Sequence, residues 1–262
     1  MTHTSVAGNT AAQAGELRAT VADGVGTLAF FHPKGNSLPA TLLAKLAEAV
    51  DRMGADSDVR VVVMRSDGAG PFCAGASFDE LTAIRDPDAG RQFFMGFANL
   101  ILAMRRCPKL ILTRVHGKVA GGGVGIVAAS DYSMALATAA IRLSELAVGI
   151  GPFVVGPAIV RRIGLGPFAA MAVDTEWRDA HWAERHGLYS KVCDVLTELD
   201  AQVDARARTL ARANPEAMAH LKRVFWAGTE DWEDLLAERA RLSGRLVLSD
   251  YTRKAVEAFR AR

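Results

Sequence analysis

Three short, mainly apolar runs, Val59 to Met64, Leu110 to Val115 and Tyr132 to Ala137, set the limits on how this chain can fold. They lack the every-second-residue alternation of a half-exposed strand and suit strands buried on both faces, as in a helix-covered parallel sheet. Between the first hairpin and the first run, Leu42, Leu46, Val50 and Met53 share one helix face, with Ser37 as the expected N-cap. Leu17 to Phe31 divides around Asp23-Gly24 into two β-like halves, a hairpin signal. Strands and helices alternate to about residue 195, which predicts an α/β class. From about Leu196 the pattern is helical only. Asn214-Pro215-Glu216 supplies a cap with proline at the first helical position, and Ser249-Asp250 is a second expected start. These helices carry Phe225, Trp226, Trp232, Leu235, Leu236, Leu246, Val247 and Leu248, which either fold back on the core or pack on other subunits.

Two small-residue segments follow strand-like runs about fifty residues apart: Phe72 to Ser77, and His116 to Gly125. Small residues after a strand let the backbone approach a ligand closely and point its N–H groups at it. Two such loops meeting in space can hold one developing oxyanion, the central need of acyl-transfer and enolate chemistry. Either segment alone also fits a tight packing corner.

Composition narrows the partners. With 31 basic and 29 acidic residues the net charge is +2, and no basic block with interleaved aromatics suggests nucleic acid. Cys73, Cys107 and Cys193 are widely spaced and odd in number, so they read as buried apolar residues rather than disulfides or metal ligands. Residues 1–14 read as a disordered leader without signal-peptide character. No run approaches the roughly eighteen apolar residues of a membrane span, so a cytoplasmic protein is expected.

With both loops placed, the chain resembles the crotonase (enoyl-CoA hydratase/isomerase) superfamily over roughly residues 15–262. The likeness rests on Asn36-Ser37-Leu38, Phe72 to Ala76, the glycine segment running into Ala129-Ser130-Asp131, and Ser144-Glu145-Leu146 followed by Gly149-Ile150-Gly151-Pro152. It implies a ββα spiral core over 15–195, and a helical region over 196–262 that builds trimers and often hexamers. It implies a CoA thioester substrate, with no metal or redox cofactor. In relatives the N–H groups matching Ala76 and Gly122 form the oxyanion hole. The stretch matching Ala76 to Asp79 lies along the CoA, so Ala74, Ala76, Ser77, Phe78, Asp79 and Gly122 are the candidate binding residues.

The resemblance also has a gap. Similar hydratases carry a glutamate after the glycine run, where this chain has Gly125; the second family glutamate is present as Glu145. Hydration is shared easily by two carboxylates, whereas moving a proton between C2 and C4 of an enoyl thioester needs one base. Single-glutamate relatives are accordingly often isomerases, though some hydrate. The acid of dehalogenase relatives is replaced by Phe153. Asp79, Glu80, Asp86, Asp88 and Arg91 read as helix and loop charges from which a replacement acid could come. Phe93, Phe94, Met95 and Phe97 fit either an acyl pocket or a core face, and His116 reads as a structural histidine.

Two other functions compete. A CoA-binding pseudoenzyme could keep the loops and lose the chemistry. Gly123 to Ala128 also formally matches a dinucleotide fingerprint, with Glu145 about twenty residues past Gly125. That motif normally opens the first βαβ unit, whereas here many elements precede it.

Overall fold

In the computed structural model, which describes residues 15–260, the first hairpin turns where Asp23-Gly24 predicts it. Strands β1 (Glu16–Ala22) and β2 (Val25–Phe31) run antiparallel, with Ala22 facing Val25. Asp23 and Gly24 have φ of +50° and +78°, the two left-handed residues of a type I′ turn, whose twist matches that of the strands. The leader expected over residues 1–14 lies outside the described residues.

The chain continues through α1 (Ala40–Ala55), β3 (Val61–Ser66), α2 (Phe78–Ala83), α3 (Pro87–Arg106) and β4 (Leu110–Val115). Next come β5 (Val119–Ala120), α4 (Gly122–Ala129), β6 (Tyr132–Leu136), β7 (Ile141–Arg142) and a 3₁₀ turn (Leu146–Val148). Then follow α5 (Gly156–Ile163), α6 (Leu165–Asp174), α7 (Ala180–Arg185) and β8 (Lys191–Cys193). After β8 every described element is a helix: α8 (Leu196–Ala211), α9 (Pro215–Phe225), α10 (Trp232–Leu246) and α11 (Asp250–Arg260).

The main sheet has the order β1-β2-β3-β4-β6-β8, parallel from β2 onward. Its inner strands β3 and β4 are covered on both sides, whereas β1 at the edge is largely exposed. In β3, Val62 and Met64 join the large core with Leu46 and Ile101, while Val61 and Val63 face Leu199 and Val203 of α8. Successive side chains point to opposite faces, so a strand with helices on both sides is apolar over most of its length, as Val61 to Met64 and Leu110 to Leu112 are. A second, small layer joins β5 to β7 and continues as single bridges, Cys73 to Val119 and Leu38 to Ala76. This layer brings the small-residue loops side by side.

The expected cap at Ser37 is not made. Helix α1 starts at Ala40 behind Pro39, and the Ser37 hydroxyl instead lies 3.1 Å from Nδ1 of His32. The open N–H of Ala40 is taken by Oε2 of Glu80 at 2.8 Å, from a residue forty positions on. A cap supplied by tertiary contact leaves no local spacing to read. The two C-terminal starts form as expected: Asn214 Oδ1 accepts from the N–H groups of Glu216 and Ala217, and Ser249 Oγ from that of Thr252.

The C-terminal helices fold back on their own core. Trp226, Trp232, Leu236 and Val247 are buried, and α10 crosses α3 where Gly90 meets Gly244. A Cβ on Gly90 would lie 2.7 Å from the Gly244 backbone, so only glycine permits this approach. Helix α9 is fixed by Lys222, whose buried ammonium lies 2.6 Å from Oδ2 of Asp131; that oxygen also accepts the Ile111 N–H. Leu221, Val224 and Phe225 remain exposed on α9.

Candidate active site

Three chain segments meet beside the small layer. The first follows β3: Phe72 is buried edge-on against Phe30, and the chain then turns through Cys73 to Ala76. This loop is laced to the second segment, with Cys73 N–H donating to Lys118 O at 3.3 Å and Ala120 N–H to Cys73 O at 2.9 Å. Gly75 has φ of +97° and a Cβ there would press on Ala120 O at 3.2 Å, so the approach requires glycine. The third segment joins through Gly121 N–H, which donates to Arg142 O at 2.9 Å.

The N–H groups of Ala76 and Gly122 are among those left over. Leu38 and Gly75, then Ser77 and Leu38, exchange the bonds of the bridge around Ala76, while the Ala76 N–H has no acceptor among the described residues. Gly122 opens α4, and its N–H likewise has none. The first N–H groups of a helix cannot bond within it and carry its positive end, which suits them to a developing negative charge. Phe97 closes over this position: a Cβ on Gly122 would lie 2.2 Å from its ring.

Glu145 faces the same place. Its Oε1 lies 3.3 Å from where Gly121 would carry a Cβ. The residue is only partly buried, yet Oε2 is sealed from solvent and has no hydrogen-bond partner among the described residues. Burial pushes the carboxyl up to about 7, against the opposing pull of the Glu145 and Ser144 backbone groups. A carboxyl with one sealed, unpaired oxygen and a pKa raised toward neutrality is suited to proton transfer.

The missing second carboxylate is replaced by bulk. A Cβ on Gly125 would lie 2.5 Å from Cγ1 of Val155, so a glutamate there has no room unless Val155 moves. Restoring the family's second carboxylate by substitution at 125 alone is therefore closed.

The other candidates divide by what their side chains already do. Ser77 Oγ caps α2 by accepting the Glu80 N–H, and Asp79 pairs with Lys34, so these two side chains have partners within the chain. Ala74 is exposed and Phe78 half-buried beside them. Glu80 holds Ala40 and Asp86 caps α3 through the Ala89 N–H, which gives these carboxylates structural work. Phe93 and Phe97 are buried, with Phe94 and Met95 packed on the same core. His116 is held below the usual histidine range by burial and by the charges of Arg114 and Arg65, beside Gly68 and Gly70. The Cys73 thiol, pushed up to about 12 by burial, is no nucleophile. Sequence reasoning missed Val155 as the filler of the lost site and Thr252 as a contact of the Glu145 turn; neither carries a local signal.

The sequence profile described as enoyl-CoA hydratase/isomerase matches residues 20–261. A "probable enoyl-CoA hydratase" of Rhodobacter capsulatus is 29% identical over 247 residues, covering 93% of this chain and 94% of the relative. The mitochondrial methylglutaconyl-CoA hydratase of Mus musculus is 30% identical over 200 residues, covering 74% of this chain and 63% of the relative. Among solved structures, an enoyl-CoA hydratase from Mycobacterium avium subsp. paratuberculosis superposes with a TM-score of 0.83 at 25% identity, covering 94% of this chain and 96% of that one. One from Bacillus halodurans reaches 0.86 at 19% identity, covering 92% and 99%, a likeness of fold.

Proposed function

The chain belongs to the enoyl-CoA hydratase/isomerase family, and from that premise we propose that it moves a proton along an enoyl-CoA thioester with Glu145 as its single acid/base. One observation carries this reading: the Glu145 carboxyl, with Oε2 sealed and unpaired, lies against Gly121 next to the uncommitted Gly122 N–H, while Val155 occupies the second carboxylate's place. The thioester oxygen would sit between the Ala76 and Gly122 N–H groups. Glu145 as carboxylate takes a proton from C2 of a 3-enoyl thioester, and the negative charge spreads over the thioester oxygen and C4. The same carboxyl then returns the proton to C4, giving the 2-enoyl thioester with no net gain or loss of atoms. Oxyanion donors of this kind are each worth about 3–4 kcal/mol of barrier.

Hydration is the second reading, favoured by the names of the relatives. There Glu145 would take the water proton and pass it to the α-carbon, with water held less firmly for want of a partner carboxylate. Either way CoA arrives with the substrate, and the reading needs no resident metal or redox cofactor. The backbone from Ala74 through Ser77 and Phe78 to Asp79 is the surface offered to CoA.

A panel of 2-enoyl- and 3-enoyl-CoA thioesters of several chain lengths, assayed separately for hydration and double-bond migration, tests the choice. Migration is expected to exceed hydration. Hydration faster than migration overturns the one-base preference, and binding without any turnover overturns the enzyme and leaves a CoA-binding protein.

The exposed Leu221, Val224 and Phe225 of α9 form the surface we assign to a homotrimer or hexamer. Light scattering is expected to give at least three times the mass of the 262-residue chain, and a monomer at micromolar concentration refutes the assembly. No described helix is long and apolar enough to cross a membrane. The cytoplasm remains the proposed location.

A further inference from the structure

We propose that Thr252 is a positioning residue, its hydroxyl latching the Gly149 end of the turn that aims Glu145; this rests on the role proposed for Glu145 above. The turn is short of support of its own. Its three residues, Leu146 to Val148, include none that is buried, and Leu146 is 47% exposed. Inside it, Glu145 O accepts from the Val148 and Ile150 N–H groups at 3.2 and 3.0 Å, and Gly149 N–H donates to Leu146 O at 3.0 Å. Gly149 then reverses the chain at φ of +79°. Three local hydrogen bonds on an exposed loop are a weak mount for a base that must meet a carbon atom.

The last helix supplies what the turn lacks. Helix α11 finds its main packing partner in this turn. Thr252 is 1% exposed, and its Oγ1 lies 3.2 Å from Gly149 O, a carbonyl 103 residues earlier. Leu246 O, at 3.0 Å, competes for the same hydroxyl hydrogen, and Ser249 Oγ donates to Thr252 Oγ1 at 3.1 Å. A Cβ on Gly149 would lie 2.6 Å from the Tyr251 ring and 2.7 Å from Thr252 Oγ1, so the glycine is also what lets the helix close on the turn. The latch therefore joins the final helix to the loop whose other end carries the carboxylate. A displacement of about 1 Å in such a group can cost on the order of 10²-fold in rate.

Thr252→Val keeps the shape and removes the hydroxyl; Thr252→Ser keeps the hydroxyl and removes a methyl. Amide hydrogen exchange is followed at Val148, Gly149 and Ile150, with the β4 amides of Leu112 and Thr113 as controls. Steady-state kinetics use whichever enoyl-CoA the unaltered enzyme turns over. In Thr252→Val, exchange at the three turn amides is expected to accelerate while the β4 controls hold. Its kcat should fall by roughly 10- to 100-fold with KM within about twofold, and Thr252→Ser should restore both. Unchanged exchange overturns the latch. Faster exchange with unchanged kcat overturns the positioning role, and equal losses in both variants overturn the hydroxyl as its agent. If the unaltered protein turns over no enoyl-CoA, the functional reading fails instead, and the exchange measurement alone decides the latch.

Discussion

Glu145→Gln is expected to cost turnover about 10²-fold or more while making the folded protein more stable at alkaline pH. Glutamine matches the size of the side chain and can still hydrogen-bond, but it cannot accept a proton. The stability gain follows from the carboxyl's surroundings. Burial raises its folded pKa from the ordinary 4.5 to about 7, so the folded state holds that proton more tightly than the unfolded chain does. Below the ordinary value both states are protonated and nothing is lost. Between about 4.5 and 7 the unfolded chain ionises first, and stability drains away as pH rises, by about 3 kcal/mol in all. The glutamine variant has no such loss. Urea unfolding should therefore give similar midpoints for the two proteins near pH 4 and a higher midpoint for Glu145→Gln at pH 8. Equal stability at both pH values refutes the buried, raised carboxyl, and unchanged turnover refutes its role as the base. Glu145→Asp, with a shorter reach, should keep part of the activity.

The combination of lower activity with higher stability separates a functional carboxylate from a structural one. A carboxylate that holds the fold together, such as Asp131 between Lys222 and the Ile111 N–H, loses stability when neutralised because its partners are left buried and unpaired. Glu145 has no charged partner to abandon: its Oε2 is unpaired among the described residues, and only the Glu145 and Ser144 backbone groups act on the carboxyl.

How far the sequence could be read follows from how local each signal is. The Asp23-Gly24 turn, the β3 and β4 runs and the Asn214 cap are decided by residues adjacent in the chain, and they appear as expected except that β3 runs from Val61 to Ser66, two residues beyond the expected Val59 to Met64. The loops at Cys73–Ala76 and Gly121–Gly125 were legible because glycine marks close backbone approach, although what each glycine approaches is decided elsewhere: Ala120 for Gly75, Phe97 for Gly122 and Val155 for Gly125. The misplaced cap at Ser37 shows the converse, since Glu80 does that work through space. For the same reason the contacts of Val155 with Gly125 and of Thr252 with Gly149 were invisible. A valine filling a vacated side-chain site and a threonine on the last helix look like any others until the chain brings them to Gly125 and Gly149.

Ala76→Pro is expected to lower kcat by about 10²–10³ while leaving the fold intact, because it deletes a donor that the folded chain does not use. The bridge around Ala76 is made by Leu38 N–H to Gly75 O and by Ser77 N–H to Leu38 O, and neither bond involves the Ala76 N–H. Proline at this position removes the hydrogen and sets a methylene group where the thioester oxygen would lie. The companion donor cannot be probed so cleanly. Proline is tolerated in the first turn of a helix, but any Cβ at Gly122 enters the Phe97 ring, so loss of activity there would mix donor removal with repacking. Ala76 carries its Cβ already, which makes it the sharper test of the two. A melting curve matching the unaltered protein, with kcat reduced and Glu145 intact, would place the lost energy at the oxyanion. A folded Ala76→Pro enzyme with full activity would mean that the thioester oxygen is held by other groups, and the arrangement of the two glycine loops would need another explanation.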